Sequence, residues 1–194
     1  MLTGNTTDNM ENKLMIKLVV GTEAMFFVSL IMAYIYFSFV PGYGYKLSQV
    51  HELDIKTTGI FSICLFLSSF TFWRAETNYK KGNTGALKFW LLFTILLGAV
   101  FLFGQGREYL GLLNKHISIG SSRFGTSFFT LTGFHGLHVF IGLIVIAIVT
   151  LLTFLGDYNQ SGSTVIGTVG IYWHFVDIVW VFVFLVVYVL PIVV

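Results

Sequence analysis

The chain has 194 residues, 56% hydrophobic and only 10% charged, with a formal net charge of +2 and a mean hydropathy of +0.83. A water-soluble domain carries roughly 25% charged residues, so a soluble fold would expose large apolar patches; the solvent must be mostly lipid. The small charge and the absence of a basic run interleaved with aromatics exclude a nucleic-acid partner.

Residues Met1 to Lys13 are polar and contain no apolar h-region, so no cleavable signal peptide is expected and the first membrane helix acts as its own insertion signal. A membrane helix needs ~20 mostly apolar residues. The first qualifying stretch runs from about Met15 to Val40 and stops at Pro41-Gly42-Tyr43-Gly44, a strong break. It carries Glu23. At three and four residues from Glu23 stand Val19, Val20, Phe26 and Phe27, none of which can pair with a carboxylate. The carboxyl is either a neutral acid hydrogen-bonded between helices or a group that handles protons with a partner on another helix or chain.

The second stretch, about Lys56 to Trp73, is short and rich in Ser and Thr (Thr57, Thr58, Ser62, Ser68, Ser69). It contains Cys64, the single cysteine, which has no partner for an internal disulfide or a metal cluster and reads as a small core residue. The third stretch, about Leu87 to Gly104, is followed by Gln105-Gly106-Arg107-Glu108-Tyr109; Glu108 reads as interfacial charge and Tyr109 suits the headgroup region.

The fourth stretch, about Phe124 to Leu155, is long enough to tilt. His135 and His138 are three residues apart there and share a face. The fifth, about Val165 to Val194, carries His174 and Asp177 at the same spacing. Three histidines and a carboxylate could coordinate zinc, iron or copper, or paired histidines on facing helices could ligate a haem. The alternative is a buried hydrogen-bond network, for example imidazole to Asp177, that holds two helices in register. His51 and His116 fall in loops and read as solvated.

Small residues recur at multiples of four: Gly21, Ser29 and Ala33 in the first stretch, Thr132 and Gly136 in the fourth, with Gly133 and Gly142 nearby. Such spacing favours close helix approach in lipid. Aromatics such as Tyr43, Tyr45, Trp73, Tyr79, Trp90, Tyr109, Tyr158, Tyr172 and Trp173 stand near helix ends, as interfacial belts prefer. Lys13, Lys17, Arg74, Lys80, Lys81 and Lys88 fall on the N-terminal side of the membrane, against Lys46, Lys56, Arg107, Lys115 and Arg123 on the other. Six against five leans towards a cytoplasmic N-terminus. No inverted repeat or mid-membrane helix break points to a transporter. The fold class is therefore an all-α integral membrane protein: one unit over residues 1–194, a bundle of five transmembrane helices.

Four of these segments carry a family resemblance. Phe124 to Val139 (FGTSFFTLTGFHGLHV) and Tyr172 to Phe182 (YWHFVDIVWVF) resemble the two signatures of cytochrome c oxidase subunit III. Gly21 to Phe27 (GTEAMFF) is similar to the family's early helix, with Thr22 where Ser usually precedes the glutamate, and Gln105 to Tyr109 resembles a further motif centred on Glu108-Tyr109. They occur in family order.

Larger members have seven helices; this chain resembles the last five, as in five-helix bacterial forms. In the seven-helix members the first two helices and the rest form a V-shaped cleft that holds phospholipid, and here that pair is missing. The resemblance implies an N-terminus in the cytoplasm, a C-terminus in the periplasm, and residence in the bacterial cytoplasmic membrane. It implies no haem and no copper on this chain, those cofactors lying in partner subunits, and no active site of its own, although bound phospholipid is compatible with it. The implied partners are oxidase subunit I as the main contact, subunit II, membrane lipid and a respiratory supercomplex with a quinol-oxidising complex. The implied role is to stabilise subunit I, protect it during turnover, and support proton uptake and oxygen access while oxygen is reduced to water. Glu23, His135, His138, His174, Asp177 and Glu108 then become network residues, with Glu23 acting through hydrogen bonding. Two other readings stay open: the equivalent subunit of a quinol oxidase or nitric oxide reductase, and, of a different class, a haem-binding membrane electron-transfer protein.

Overall fold

A computed structural model describes residues 4–39, 53–120, 122–156 and 162–193. The Pro41–Gly44 break, Tyr43, Tyr45, Lys46, His51 and Tyr158 lie outside the described residues. All regular structure among the described residues is helical. The helices are α1 (Gly4–Phe39), α2 (Ile55–Lys80), α3 (Thr84–Asn114), α4 (Arg123–Leu155) and α5 (Gly162–Phe184), the last continuing through a π-helical turn (Leu185–Val189) into a final turn (Leu190–Val193). Among the described residues, five helices are long and apolar enough to cross a membrane.

Helices α2 and α3 extend well beyond the apolar stretches that announce them. The reason lies in their ends. Asp54 caps α2, accepting from the Thr57 amide at 3.2 Å and the Thr57 hydroxyl at 2.5 Å. At the other end Glu76 and Lys80 pair at 2.7 Å one turn apart, keeping polar residues helical past the apolar run. Asn83 caps α3 through its bond from Ala86 N at 3.1 Å, and Gly82, at φ +71°, makes the reversal between the two helices. Ser122 caps α4, accepting from Gly125 N at 2.9 Å, and Gly156 ends it in the left-handed conformation.

The hairpin α2–α3 is the most extensive helix pair; α3 packs on α4, α4 on α5, and α5 back on α2. Helix α1 lies against α4 and α5 and buries only Phe27 and Tyr34 along its Leu14–Ser38 segment. Lipid tails are as apolar as leucine, so close packing and interhelical hydrogen bonds, not burial alone, decide where helices touch. Trp173 and Trp180 on α5 are the largest buried side chains. Their indole N–H groups donate to Ser68 at 3.1 Å and Ser62 at 2.9 Å on α2. The Ser-rich character that makes α2 look weak as a span is what receives these donors.

Close approach follows the glycines of α3 and α4 more than those of α1. A Cβ at Gly142 would stand 2.8 Å from Trp173, and one at Gly98 would stand 3.2 Å from Trp173 and 2.7 Å from Leu143. A Cβ at Gly136 would meet Gln105 at 2.9 Å, whereas one at Gly21 would meet nothing within 4 Å. The small-residue spacing of α1 therefore does not mark a contact within this chain at Gly21.

Candidate functional site

Glu23 finds its partner on α4: His138 Nε2 lies 3.0 Å from Glu23 Oε2. The other ring nitrogen, His138 Nδ1, is 2.7 Å from the Phe134 carbonyl. A carbonyl only accepts, so Nδ1 must carry a hydrogen. One proton then lies between Nε2 and Oε2, either on the imidazole as an ion pair or on the carboxyl as a neutral acid. Tyr172 of α5 donates to the His138 carbonyl at 3.1 Å, and the Phe27 ring meets the imidazole edge-on at 5.0 Å. The pair is not sealed: the Glu23 side chain is 33% exposed and that of His138 13%.

His135, one turn away, does something different. It is fully buried, and neither ring nitrogen has a hydrogen-bond partner among the described residues. It is held by rings instead: it stacks on Trp180 at 4.7 Å and is met edge-on by Phe101 at 6.0 Å and Phe27 at 6.4 Å. Spacing of three residues put both histidines on one side of α4, but their partners separate them.

His174 and Asp177 do not bond to each other as the spacing suggests. Ser69 of α2 stands between them: its hydroxyl is 2.8 Å from His174 Nδ1 and donates to Asp177 Oδ2. Asp177 is buried, and its Oδ1 has no partner among the described residues. The network joins α2 to α5, as an interhelical clamp would, with serine rather than histidine as the hinge.

Glu108 is not interfacial charge alone. Its Oε2 accepts from Tyr188 at 2.7 Å, linking α3 to the π-helical turn after α5, while Oε1 is buried without a partner among the described residues. The sequence reading missed Tyr188, and it missed a cluster beside it. Gln105 Nε2 donates to the Thr132 carbonyl at 2.7 Å and to Tyr109 at 3.2 Å, and the Tyr109 and Thr132 hydroxyls are 2.8 Å apart. The four-residue spacing of Gln105 and Tyr109 was the available signal. Thr71 and Thr94, paired at 2.8 Å between α2 and α3, carried no such signal.

Among the described residues, no three His, Cys, Asp or Glu side chains are placed to hold a metal ion. His135, His138 and His174 face an indole, a carboxylate and a serine, and do not converge on one centre. His116 is an exposed loop residue at φ +60°.

Residues 2–191 match the family described as cytochrome c oxidase subunit III. The chain belongs to the cytochrome c oxidase subunit III family. It is 36% identical over 168 residues to the probable cytochrome c oxidase subunit 3 of Nocardia farcinica, covering 87% of this chain and 82% of that one. It is 36% identical over 169 residues to the cytochrome c oxidase subunit 3 of Corynebacterium diphtheriae, covering 86% and 82%. Against the cytochrome c oxidase subunit 3 of a Synechocystis species the figures are 34% over 170 residues, 87% and 71%. Within this subunit III chain, the Glu23–His138, His174–Ser69–Asp177 and Glu108–Tyr188 contacts connect helices.

Proposed function

We propose that this chain is the non-catalytic subunit III of a bacterial terminal oxidase of the cytochrome c oxidase type. On this reading it sits in the cytoplasmic membrane with its N-terminus inside and packs against the haem- and copper-bearing subunit I, in a complex that also contains subunit II. It acts as one membrane unit that stabilises subunit I and supports proton uptake and oxygen access during turnover.

The observation that carries this reading is the Glu23–His138 pair. A carboxylate this deep in an apolar helix would cost roughly 2.5–3.5 kcal/mol unpartnered. The chain keeps it, pairs it across α1 and α4 at 3.0 Å, and leaves it 33% exposed on the thinly covered first helix. A buried structural bridge would not need that opening; a group that faces a partner subunit would.

The test is to tag the chain and purify it from its native membrane in mild detergent. Reduced-minus-oxidised spectra and the masses of co-purifying chains are then recorded. Co-purification of a haem–copper subunit I, with haem absorbance scaling to it, is the expected result, and the companion chains identify the electron donor. A chain that purifies alone with its own haem spectrum would overturn the proposal.

A further inference from the structure

A cavity of about 250 Å³ opens where α2 begins and α3 ends, so at one face of the membrane. Its wall contains Asp54, Thr57 and Thr58 from α2, and Gly104, Arg107, Glu108, Gly111, Leu112 and Lys115 from α3. It is far roomier than the ~30 Å³ share of a single water. It is also unusual in its charge: two carboxylates and two cations line one small space. Arg107 is exposed and has no hydrogen bond or ion pair among the described residues. Glu108 is held from behind by Tyr188, and its Oε1 is buried with no hydrogen-bond partner among the described residues. Asp54 is fixed by Thr57 and kept ionised-ready at the helix start.

Below this polar rim the same helix faces turn apolar. Ile60 is one turn from Thr57 on α2, and Phe103 one turn from Arg107 on α3. They are 63% and 66% exposed. A polar pocket with both signs of charge at the interface, standing over an apolar wall that faces the hydrocarbon, fits an amphiphile with a zwitterionic head.

We propose that this cavity is a binding site for a phospholipid whose headgroup carries a phosphate and a primary ammonium. The phosphate lies against Arg107 and Lys115, the ammonium against Asp54 and Glu108, and the acyl chains run over Ile60 and Phe103. Guanidinium and carboxylate are both charge-assisted partners, and each contact is stronger in the low-dielectric edge of a membrane than in water. The site is separate from the Glu23–His138 pair, and it does not depend on which complex the chain joins.

The experiment uses the purified, detergent-solubilised assembly that contains the full-length chain. After delipidation it is titrated with short-chain phosphatidylethanolamine, with phosphatidylglycerol of the same chain length, and with phosphoethanolamine, and the adducts are counted by native mass spectrometry. Phosphatidylethanolamine is expected to form one tight adduct that Arg107→Ala weakens by about tenfold or more, a factor equal to one 1.4 kcal/mol contact. Glu108→Gln, which keeps the shape and an acceptor for Tyr188, is expected to weaken it similarly. Phosphatidylglycerol, lacking the ammonium, is expected to bind about tenfold more weakly. Unchanged affinity in Arg107→Ala would overturn the proposal, as would equal binding of the two lipids. Binding of phosphoethanolamine as tight as that of the lipid would reject the membrane ligand in favour of a soluble one.

Discussion

The imidazole of His135 lies flat against the indole of Trp180, with ring centroids 4.7 Å apart and planes inclined by 25°. Since neither nitrogen of His135 is hydrogen-bonded among the described residues, the residue serves here as an aromatic disc. His135→Phe should keep the stack and cost less than about 1.5 kcal/mol, as shape-conserving swaps usually do. His135→Ala removes the disc and should cost about 2–5 kcal/mol through the cavity left behind. Thermal unfolding of the two variants in one detergent checks the order. A Phe variant as unstable as the Ala variant would mean that the nitrogens matter.

Glu23→Gln separates geometry from proton exchange. The amide N–H can donate to His138 Nε2, so the α1–α4 contact and complex assembly should survive. An amide has no carboxyl to carry a proton, so sustained turnover or proton coupling should change. Activity of the purified complex followed over many turnovers decides it; a wild-type progress curve would count against a functional role for this carboxyl. Glu23→Ala, which removes the bond as well, should also loosen α1.

The Ser69 hydroxyl connects His174 and Asp177, so removing it breaks two contacts at once. Ser69→Ala and Asp177→Ala should each lower stability by ~1–3 kcal/mol, the cost of stranding buried polar groups. The double variant should cost less than the sum of the two, since both remove the same bond. Strict additivity in thermal melts would mean the two side chains act independently.

The carboxyl of Asp54 is held below its ordinary value of 3.8, chiefly by the Thr57 hydroxyl and then by the Thr57 backbone N–H. A carboxyl lowered on folding contributes stability that is present above the unfolded value and is lost as pH falls through the folded one. The cap should therefore be fully effective at neutral pH and fail only in acid below 3.8. At pH 7, Asp54→Ala should cost about 0.5–2 kcal/mol. Asp54→Asn, which keeps an acceptor, should cost less at pH 7 and should flatten the acid limb of the stability profile.

Much of this architecture was readable before any coordinates. Membrane helices announce themselves by length and hydropathy, and all five stretches became helices. Their ends were less readable, because Arg74, Glu76, Asn78 and Lys80 continue α2 as a polar helix and an apolar window cannot see them. The polar intruders were also visible, because lipid makes every buried carboxylate or imidazole conspicuous. What periodicity could not supply was the neighbour across the gap. It placed His135 and His138 on one face of α4, yet one meets Trp180 and the other Glu23. It placed His174 beside Asp177, yet serine intervenes. Ser62 and Ser68 looked like a weakness in α2 until the tryptophans of α5 were seen to need them.

The π-helical turn at Leu185–Val189 has a consequence for chain length. Leu190 N–H reaches back five residues to the Leu185 carbonyl, and Pro191, with no N–H and a ring that crowds the carbonyl four residues earlier, favours such a widened turn. A turn of this kind is an extra residue absorbed without a loop. Removing Val186 would let the segment relax to an ordinary α-helix while the residues from Leu190 onward keep their direction, because the widened turn already accommodates one residue more than an α turn. The closing segment of α5 is thus a place where the chain can lose one residue while the helix stays continuous and its flanking faces keep their register.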